Sequence, residues 1–480
     1  MAGIGFDLEE IFRKNTYGGD AVAYTAAAVT ISGAWIFGLL ALIVVFLKSS
    51  STLSSVELSL LFTMITYSYA GAMLITSVLT FPITRYLADC LHQGKVDSFG
   101  PAFSASCVLH LTLALLLGSA FYAANPLPTN LQVSGVLLLV SCTQLWLCTT
   151  FVGLMRFRLP AAVTFLMGYS FCALGATQLG ARLGLLGYLA GFGLGLSLMA
   201  MALTCLLASV FSFPRVVDFG FIRLLWQRPF LAPCGLALAL GSWIDKILFW
   251  ASPWALPSAP YLRSYTPYDM SFFLGYTLSI PVLTWLILRV ETGFARRVQE
   301  LFAHLTNRQP YERIQAAKIA IADNMNQTFR IFLTQMVPIG LLAIFGTPTL
   351  LRWLHLPDYL THLVRISILS CVGASFLQVH VLYLMYFDLS GMAFVACGVF
   401  LVANYVGTAL TLQWGFRWFG LGFLVSSYLG TIVSMVLINR SMPRIEFIVM
   451  QYYARIRPRI RLPSILRRLL PGHRAQEARP

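Results

Sequence analysis

Gly241-Ser242-Trp243-Ile244-Asp245-Lys246 lies within an apolar run from Phe230 to Trp250. That run is long enough to cross a bilayer as a helix, which takes about 20 residues. A carboxylate or an ammonium near the centre of such a helix costs roughly 2.5–3.5 kcal/mol on insertion scales. Successive residues on a helix point about 100° apart. Asp245 and Lys246 are therefore expected not to neutralise one another, each finding a partner on another helix or in a water-filled cavity. Two readings stay open for the pair: glue between helices, or a polar path for a transported solute.

The rest of the chain sets that helix among many like it. Of 480 residues, 58% are hydrophobic and only 11% are charged, too few charges for a soluble protein of this size. The nine cysteines are an odd number, without a C-x-x-C pair and with mostly apolar neighbours, so packed thiols are expected rather than disulfides or a metal site. The seven histidines form no metal-ligand spacing, and no cofactor is expected. Met1 to Lys14 carries Asp7, Glu9 and Glu10 and lacks the basic and apolar regions of a cleavable signal peptide, so none is expected.

Apolar runs predict twelve spans: 21–47, 57–84, 102–123, 131–155, 160–181, 184–211, 230–252, 269–289, 327–346, 361–386, 391–413 and 419–439. Placing the N-terminus inside leaves 25 Lys and Arg in inside segments, ten of them between Arg440 and Arg479, and only six outside. That asymmetry puts both termini in the cytoplasm and makes the number of spans even. The net charge of +15 then reflects topology and attraction to the membrane surface, and it gives no reason to expect nucleic-acid binding.

Gly33-Ala34-Trp35-Ile36 in span one recurs as Gly241-Ser242-Trp243-Ile244 in span seven, an offset of 208. Val78-Leu79-Thr80 and Arg85 in span two recur as Val282-Leu283-Thr284 and Arg289 in span eight, an offset of 204. Two matches on successive spans predict a duplicated six-helix unit, inserted in parallel about an axis along the membrane normal. The expected fold is thus an all-α polytopic membrane protein of twelve transmembrane helices in two six-helix lobes. Residues 1–19 read as an amphipathic segment, 20–215 as the N-lobe, 216–440 as the C-lobe and 441–480 as an Arg-rich cytoplasmic tail.

Within the C-lobe, residues 291–326 read as a helical hairpin on the cytoplasmic surface: a solvated linker or a docking surface for a partner. The outside connection from Ser252 to Pro267 is rich in proline and aromatic rings and reads as an interfacial belt, with stacking on sugars as the alternative. Arg85 and Asp89, four apart at the inner end of span two, can pair on one helix face. With Arg289 and Glu291 below span eight they are candidates for an inside gate. Trp35 and Trp243, at equivalent places in the two repeats, are candidate facing walls of a transport path. Asp245 would attract a cationic group of the solute there, and Lys246 would organise that carboxylate. Glu57, opening span two, suits a helix N-terminus. His110, Gln144, Gln335 and Asn404 are polar residues within spans, each read as packing glue.

Several segments together resemble one family, the PelG transporters of Pel exopolysaccharide. They are Met1-Ala2-Gly3-Ile4-Gly5-Phe6, Ser32-Gly33-Ala34-Trp35, Thr84-Arg85-Tyr86-Leu87-Ala88-Asp89, Trp243-Ile244-Asp245-Lys246, Glu291-Thr292 and Tyr386-Phe387-Asp388. Two departures are Ala34, where the pattern has proline, and Leu389-Ser390, where it has basic residues; the second leaves the turn after span ten without a cation. The resemblance implies the fold of the multidrug/oligosaccharidyl-lipid/polysaccharide exporters, two six-helix bundles in a V. It implies export of a galactosamine- and N-acetylgalactosamine-rich polymer across the bacterial inner membrane. It also implies partners: a cytosolic glycosyltransferase, a cyclic-di-GMP sensor and a helical-repeat membrane protein. Any role for Asp388 is implied by the resemblance alone.

Two other functions compete with this one. An ion-coupled drug antiporter or lipid-linked oligosaccharide flippase of the same fold would use the intramembrane carboxylate for coupling. A membrane-embedded glycosyl- or acyltransferase is disfavoured, because the chain has no Asp-x-Asp for a metal-bound nucleotide sugar.

Overall fold

A computed structural model describes residue 33 and residues 35–153, 159–213, 216–307 and 309–447. The amphipathic start, Ser32, Ala34 and the tail from residue 448 lie outside the described residues. The N-half contains α1 (Trp35–Ser49), α2 (Ser55–His92), α3 (Phe99–Ala123), α4 (Thr129–Val152), α5 (Leu159–Leu183) and α6 (Leu185–Val210). The short α7 (Ile222–Gln227) leads to α8 (Leu231–Ala251), a hairpin of β1 (Leu256–Ala259) and β2 (Leu262–Ser264), and α9 (Thr266–Arg289). Then follow α10 (Ala295–Thr306), α11 (Tyr311–Ile331), α12 (Val337–Trp353), α13 (Leu360–Tyr386), α14 (Ser390–Trp414) and α15 (Leu421–Ser441). Eleven described helices are long and apolar enough to cross a membrane, and α1 is shorter because its expected span begins among undescribed residues.

Two large hydrophobic clusters organise the chain, one from Ala41 to Phe221 with Leu262 added, and one from Cys234 to Ile445. Their wiring repeats. In the first half α2 packs on α4, α4 on α6 and α5 on α6; in the second α9 packs on α13, α13 on α15 and α14 on α15. The α5–α6 pair closes on glycine: a Cβ at Gly191 would lie 2.2 Å from the Gly175 carbonyl oxygen. The α14–α15 pair does the same, where a Cβ at Gly422 would lie 2.4 Å from the Thr408 nitrogen, beside Gly407. Helices in lipid gain most from such close backbone approach, since water does not drive them together.

The glycine pairs are offset by 232 and 231 residues, against 208 and 204 earlier in the chain. The drift has a physical cause. The second half carries the α10–α11 hairpin, joined through π-helical turns at Val290–Phe294 and Phe332–Met336. The separate linker and span expected at 291–346 are therefore two continuous helical runs, α9 into α10 and α11 into α12, each passing through a π turn. Phe294, Val298, Leu301 and Ile321 sink this hairpin into the C-half core, and Lys318 donates to the Pro443 carbonyl (2.8 Å) and pairs with Glu446 (2.7 Å). Ser54 and Glu57 form a reciprocal cap on α2, in keeping with Glu57 opening that helix.

Proline shapes α12. Pro348 has no N–H to give the Ile344 carbonyl, and Arg365 of α13 donates to that oxygen instead (3.0 Å). A hydrogen bond from a charged donor is worth about 1.5–3 kcal/mol. Arg365→Ala is expected to destabilise the protein by about that amount in a detergent unfolding assay. In a Pro348→Ala background, where the backbone regains its own donor, the loss should shrink by half or more.

Candidate functional site

The buried pair on α8 departs from expectation. Lys246 folds back onto its neighbour, its Nζ 3.0 Å and 3.3 Å from the two Asp245 carboxylate oxygens. The 100° between the two Cβ directions is spanned by the lysine's four-carbon stem, which the helical-wheel reading left out. The expected partners on other helices exist as well. Tyr268 of α9 donates its hydroxyl to Asp245 (2.8 Å). The ammonium lies 4.6 Å from the ring centre of Phe272, 5.1 Å from Phe423, 5.6 Å from Tyr276 and 5.7 Å from Trp243. Asp245 is fully buried, inside the C-lobe rather than against lipid. Its oxygens are engaged by Lys246 and Tyr268, so in this conformation it does not face a solute.

What the pair supports is a row of rings facing the other lobe. Trp243 packs on Lys246 and donates its indole N–H to Met73 Sδ on α2 (3.1 Å). Two helical turns on, Trp250 stacks on Tyr67 of α2 (4.4 Å) while Asp269 of α9 accepts its indole N–H (3.0 Å). Toward the other end, a Cβ at Gly235 would lie 2.2 Å from the Ser77 carbonyl oxygen. These contacts run antiparallel along α2 and α8, so one seam joins the lobes over most of the membrane depth.

Trp35 does not face Trp243. It packs edge-on against Trp146 within its own lobe (6.3 Å) and is half exposed. Among the polar span residues, Asn404 donates to the Gly241 carbonyl (2.8 Å), Gln144 donates to Cys107 Sγ (3.2 Å), and His110 Nδ1 lies 2.7 Å from the Ser106 carbonyl. The side chain of Gln335 lies outside the described ones. Among the described residues no three His, Cys, Asp or Glu side chains converge as metal ligands would.

Beyond the Ser77–Gly235 end of the seam, Arg85 pairs with Asp89 (3.1 Å), the i,i+4 contact its spacing predicts. Its second partner is Asp388 (3.6 Å), which also pairs with Arg228. Arg289 of the expected gate instead lies over the Trp285 ring (5.6 Å), and the side chain of Glu291 lies outside the described ones. The gate-like cluster is thus Asp89, Arg85, Asp388 and Arg228, joining α2 of one lobe to the α13–α14 turn and the start of α8 in the other. Below it the connector between lobes is fastened to the N-lobe: Tyr86 donates to Asp218, and the Asp218 N–H donates to the Pro101 carbonyl (3.1 Å).

Asp388 is unusual twice over. Its φ is +63°, a left-handed conformation that Asp tolerates better than most residues. It also places a carboxylate at the C-terminal end of α13, where the helix dipole is already negative. The two guanidiniums offset both. Arg228 was missed in the sequence, yet a signal existed: an acid in a turn whose own Leu389-Ser390 offers no cation must draw one from elsewhere.

Residues 1–450 match the family described as PelG, exopolysaccharide exporter (EPS-E). The chain belongs to that family. A comparison with curated proteins finds no match. Among solved structures, the eukaryotic MATE transporter AtDTX14 is similar over 91% of this chain and 99% of its own, at 12% identity and a TM-score of 0.59. An outward-facing multidrug resistance MATE transporter of the MOP superfamily is similar over 88% of this chain and 96% of its own, at 11% identity and a TM-score of 0.57. A MOP superfamily transporter from Pyrococcus furiosus covers the same shares at 11% identity and a TM-score of 0.53. Family and fold are those of a transporter, not an enzyme: an all-α, two-lobe, multi-pass membrane protein of the exopolysaccharide exporters.

Removing one partner of a buried ion pair leaves the other uncompensated, at a cost of about 3–5 kcal/mol. Asp388→Ala is expected to lose stability on that scale in thermal unfolding of the purified protein. Replacing Arg228 by Leu in the same chain should recover part of the loss; an additive loss would show that the two residues do not act together.

Proposed function

We propose that the protein carries a galactosamine- and N-acetylgalactosamine-rich Pel polymer from cytosol to periplasm across a bacterial inner membrane, with both termini cytoplasmic. The family supplies the polysaccharide, and the Lys and Arg distribution supports the orientation. The observation that carries the transport reading is the ionic cluster at the inner end of the seam. Asp388 is buried between arginines that reach it from both lobes, and breaking that contact lets the inner ends part. Separated, the same four charges regain water, so both states are accessible.

The polymer surface in this reading is aromatic. Packed against one another across the closed seam, Tyr67, Trp243 and Trp250 offer flat faces along α2 and α8 once it opens, and Asp269 and the Asp245–Lys246 pair hold the two tryptophans in place. Flat faces suit sugar rings without binding any one unit tightly enough to stall a chain. Partners follow the family resemblance: a cytosolic glycosyltransferase, a cyclic-di-GMP sensor and a helical-repeat membrane protein, with the α10–α11 hairpin as the cytoplasmic surface nearest them.

A second reading rests on a separate observation. Asp245, Asp269 and Lys246 bring two carboxylates and one ammonium to facing positions of α8 and α9, an excess of negative charge that suits a proton or a sodium ion. In that case export follows the pH or sodium gradient. Threading driven by polymer synthesis does not.

Arg85→Ala tests the inner cluster. Impermeant thiol labelling from the cytoplasmic side of a cysteine placed at Ser77 is expected to rise at least fivefold in the variant, and secreted polymer to fall. Unchanged labelling together with unchanged secretion would refute the gate.

A further inference from the structure

The outside connection between α8 and α9, whose composition reads as an interfacial belt, has a defined fold of its own. It folds into the β1–β2 hairpin, registered Leu256 to Ser264 and Pro257 to Arg263, and crosses from the C-lobe to the N-lobe. Its foot stays on its own lobe. Arg263 donates to the Ser252 carbonyl (3.1 Å), Trp254 packs edge-on against Phe419 (5.4 Å), and Tyr265 stacks on Phe249 (5.5 Å).

The tip rests on the other lobe through a small set of contacts. Ser258 and Ser59 share a hydrogen bond between their hydroxyls (3.0 Å), and Tyr67 donates to the Arg263 carbonyl (2.9 Å). The Tyr261 N–H donates to the Asn125 side-chain oxygen (3.1 Å). Asn125 is fully buried between α3 and α4; its amide nitrogen donates to the Phe121 carbonyl, which turns the oxygen toward the hairpin. Leu262 is the one tip side chain wholly buried among N-lobe core residues.

The two ends of the hairpin are therefore unequal. The foot is fixed by stacked aromatic rings and an arginine, whereas the tip holds by neutral hydrogen bonds that water can replace and by one leucine. Tyr67 ties this contact to the seam, because the ring that stacks on Trp250 carries the hydroxyl that binds Arg263.

We propose that the hairpin from Ser252 to Tyr265 is a detachable outer latch, which leaves Ser59, Tyr67 and Asn125 whenever the outer side of the seam opens. The proposal rests on the outward-export reading for its orientation, and it assigns the outer closure to a C-lobe element that the inner cluster does not contain.

The test joins the two lobes through Ser59→Cys and Ser258→Cys in the full-length protein, whose hydroxyls already touch. A third substitution, Met73→Cys, reports access to the middle of the seam. Peptide-level mass spectrometry counts outside-added impermeant maleimide at residue 73 in cells or oriented vesicles, before and after mild oxidation. The disulfide should form, labelling at residue 73 should fall at least tenfold, secreted polymer should fall in parallel, and reductant should restore both. Failure of the disulfide to form, or a disulfide that changes neither labelling nor secretion, overturns the latch. Labelling that falls in a protein that secretes no polymer even when reduced upholds the latch and refutes the export reading.

Discussion

A carboxylate at the end of a helix, in a left-handed turn and out of reach of water, has three reasons to be unstable. Asp388 meets all three, and it is tolerated because Arg228 and Arg85 surround it. Arg228 lies between α7 and α8 in the second lobe, whereas Arg85 lies two turns before the end of α2 in the first. The stability of one turn is thereby made to depend on the lobes being together. Other inter-lobe contacts, such as Trp250 on Tyr67 or Gly235 on the Ser77 carbonyl, are apolar or neutral and lose little when they slide. The ionic contact is different in kind: it is strong when dry and nearly indifferent when wet, as the proposed closure requires.

The buried pair on α8 serves the same seam from inside the C-lobe. Asp245 and Lys246 neutralise each other, take a hydroxyl from Tyr268 and set four rings around the ammonium, so the charges cost the membrane little. Trp243, one of those rings, faces α2. Asp269 does for Trp250 what Lys246 does for Trp243. Charge held inside one lobe thus fixes the aromatic surface that the lobes share.

Much of this was legible in the sequence. The spans followed from run length and the duplication from two short matches. Confirmation of the repeat came from Gly175–Gly191 and Gly407–Gly422, invisible beforehand because an inserted hairpin had shifted their spacing. Arg85 with Asp89 was readable because four residues make one helical turn. Arg228 with Asp388 was not, since 160 residues separate them and they meet only once the C-lobe has folded. The Asp245–Lys246 contact was misjudged because backbone angles say nothing of how far a lysine stem reaches. The hairpin escaped notice because proline and aromatic residues mark a membrane interface as readily as a turn.

Distance measurements across the inner ends address the central claim most directly. Spin labels at Val96 in the N-lobe and Ile319 on α11, both exposed, report lobe separation without touching the cluster. In the native protein the account predicts a single narrow distance distribution, and in Asp388→Asn a population at least 5 Å longer. An Asp388→Asn protein that folds and keeps the native distribution would show that the lobes do not depend on this carboxylate, and would contradict the account.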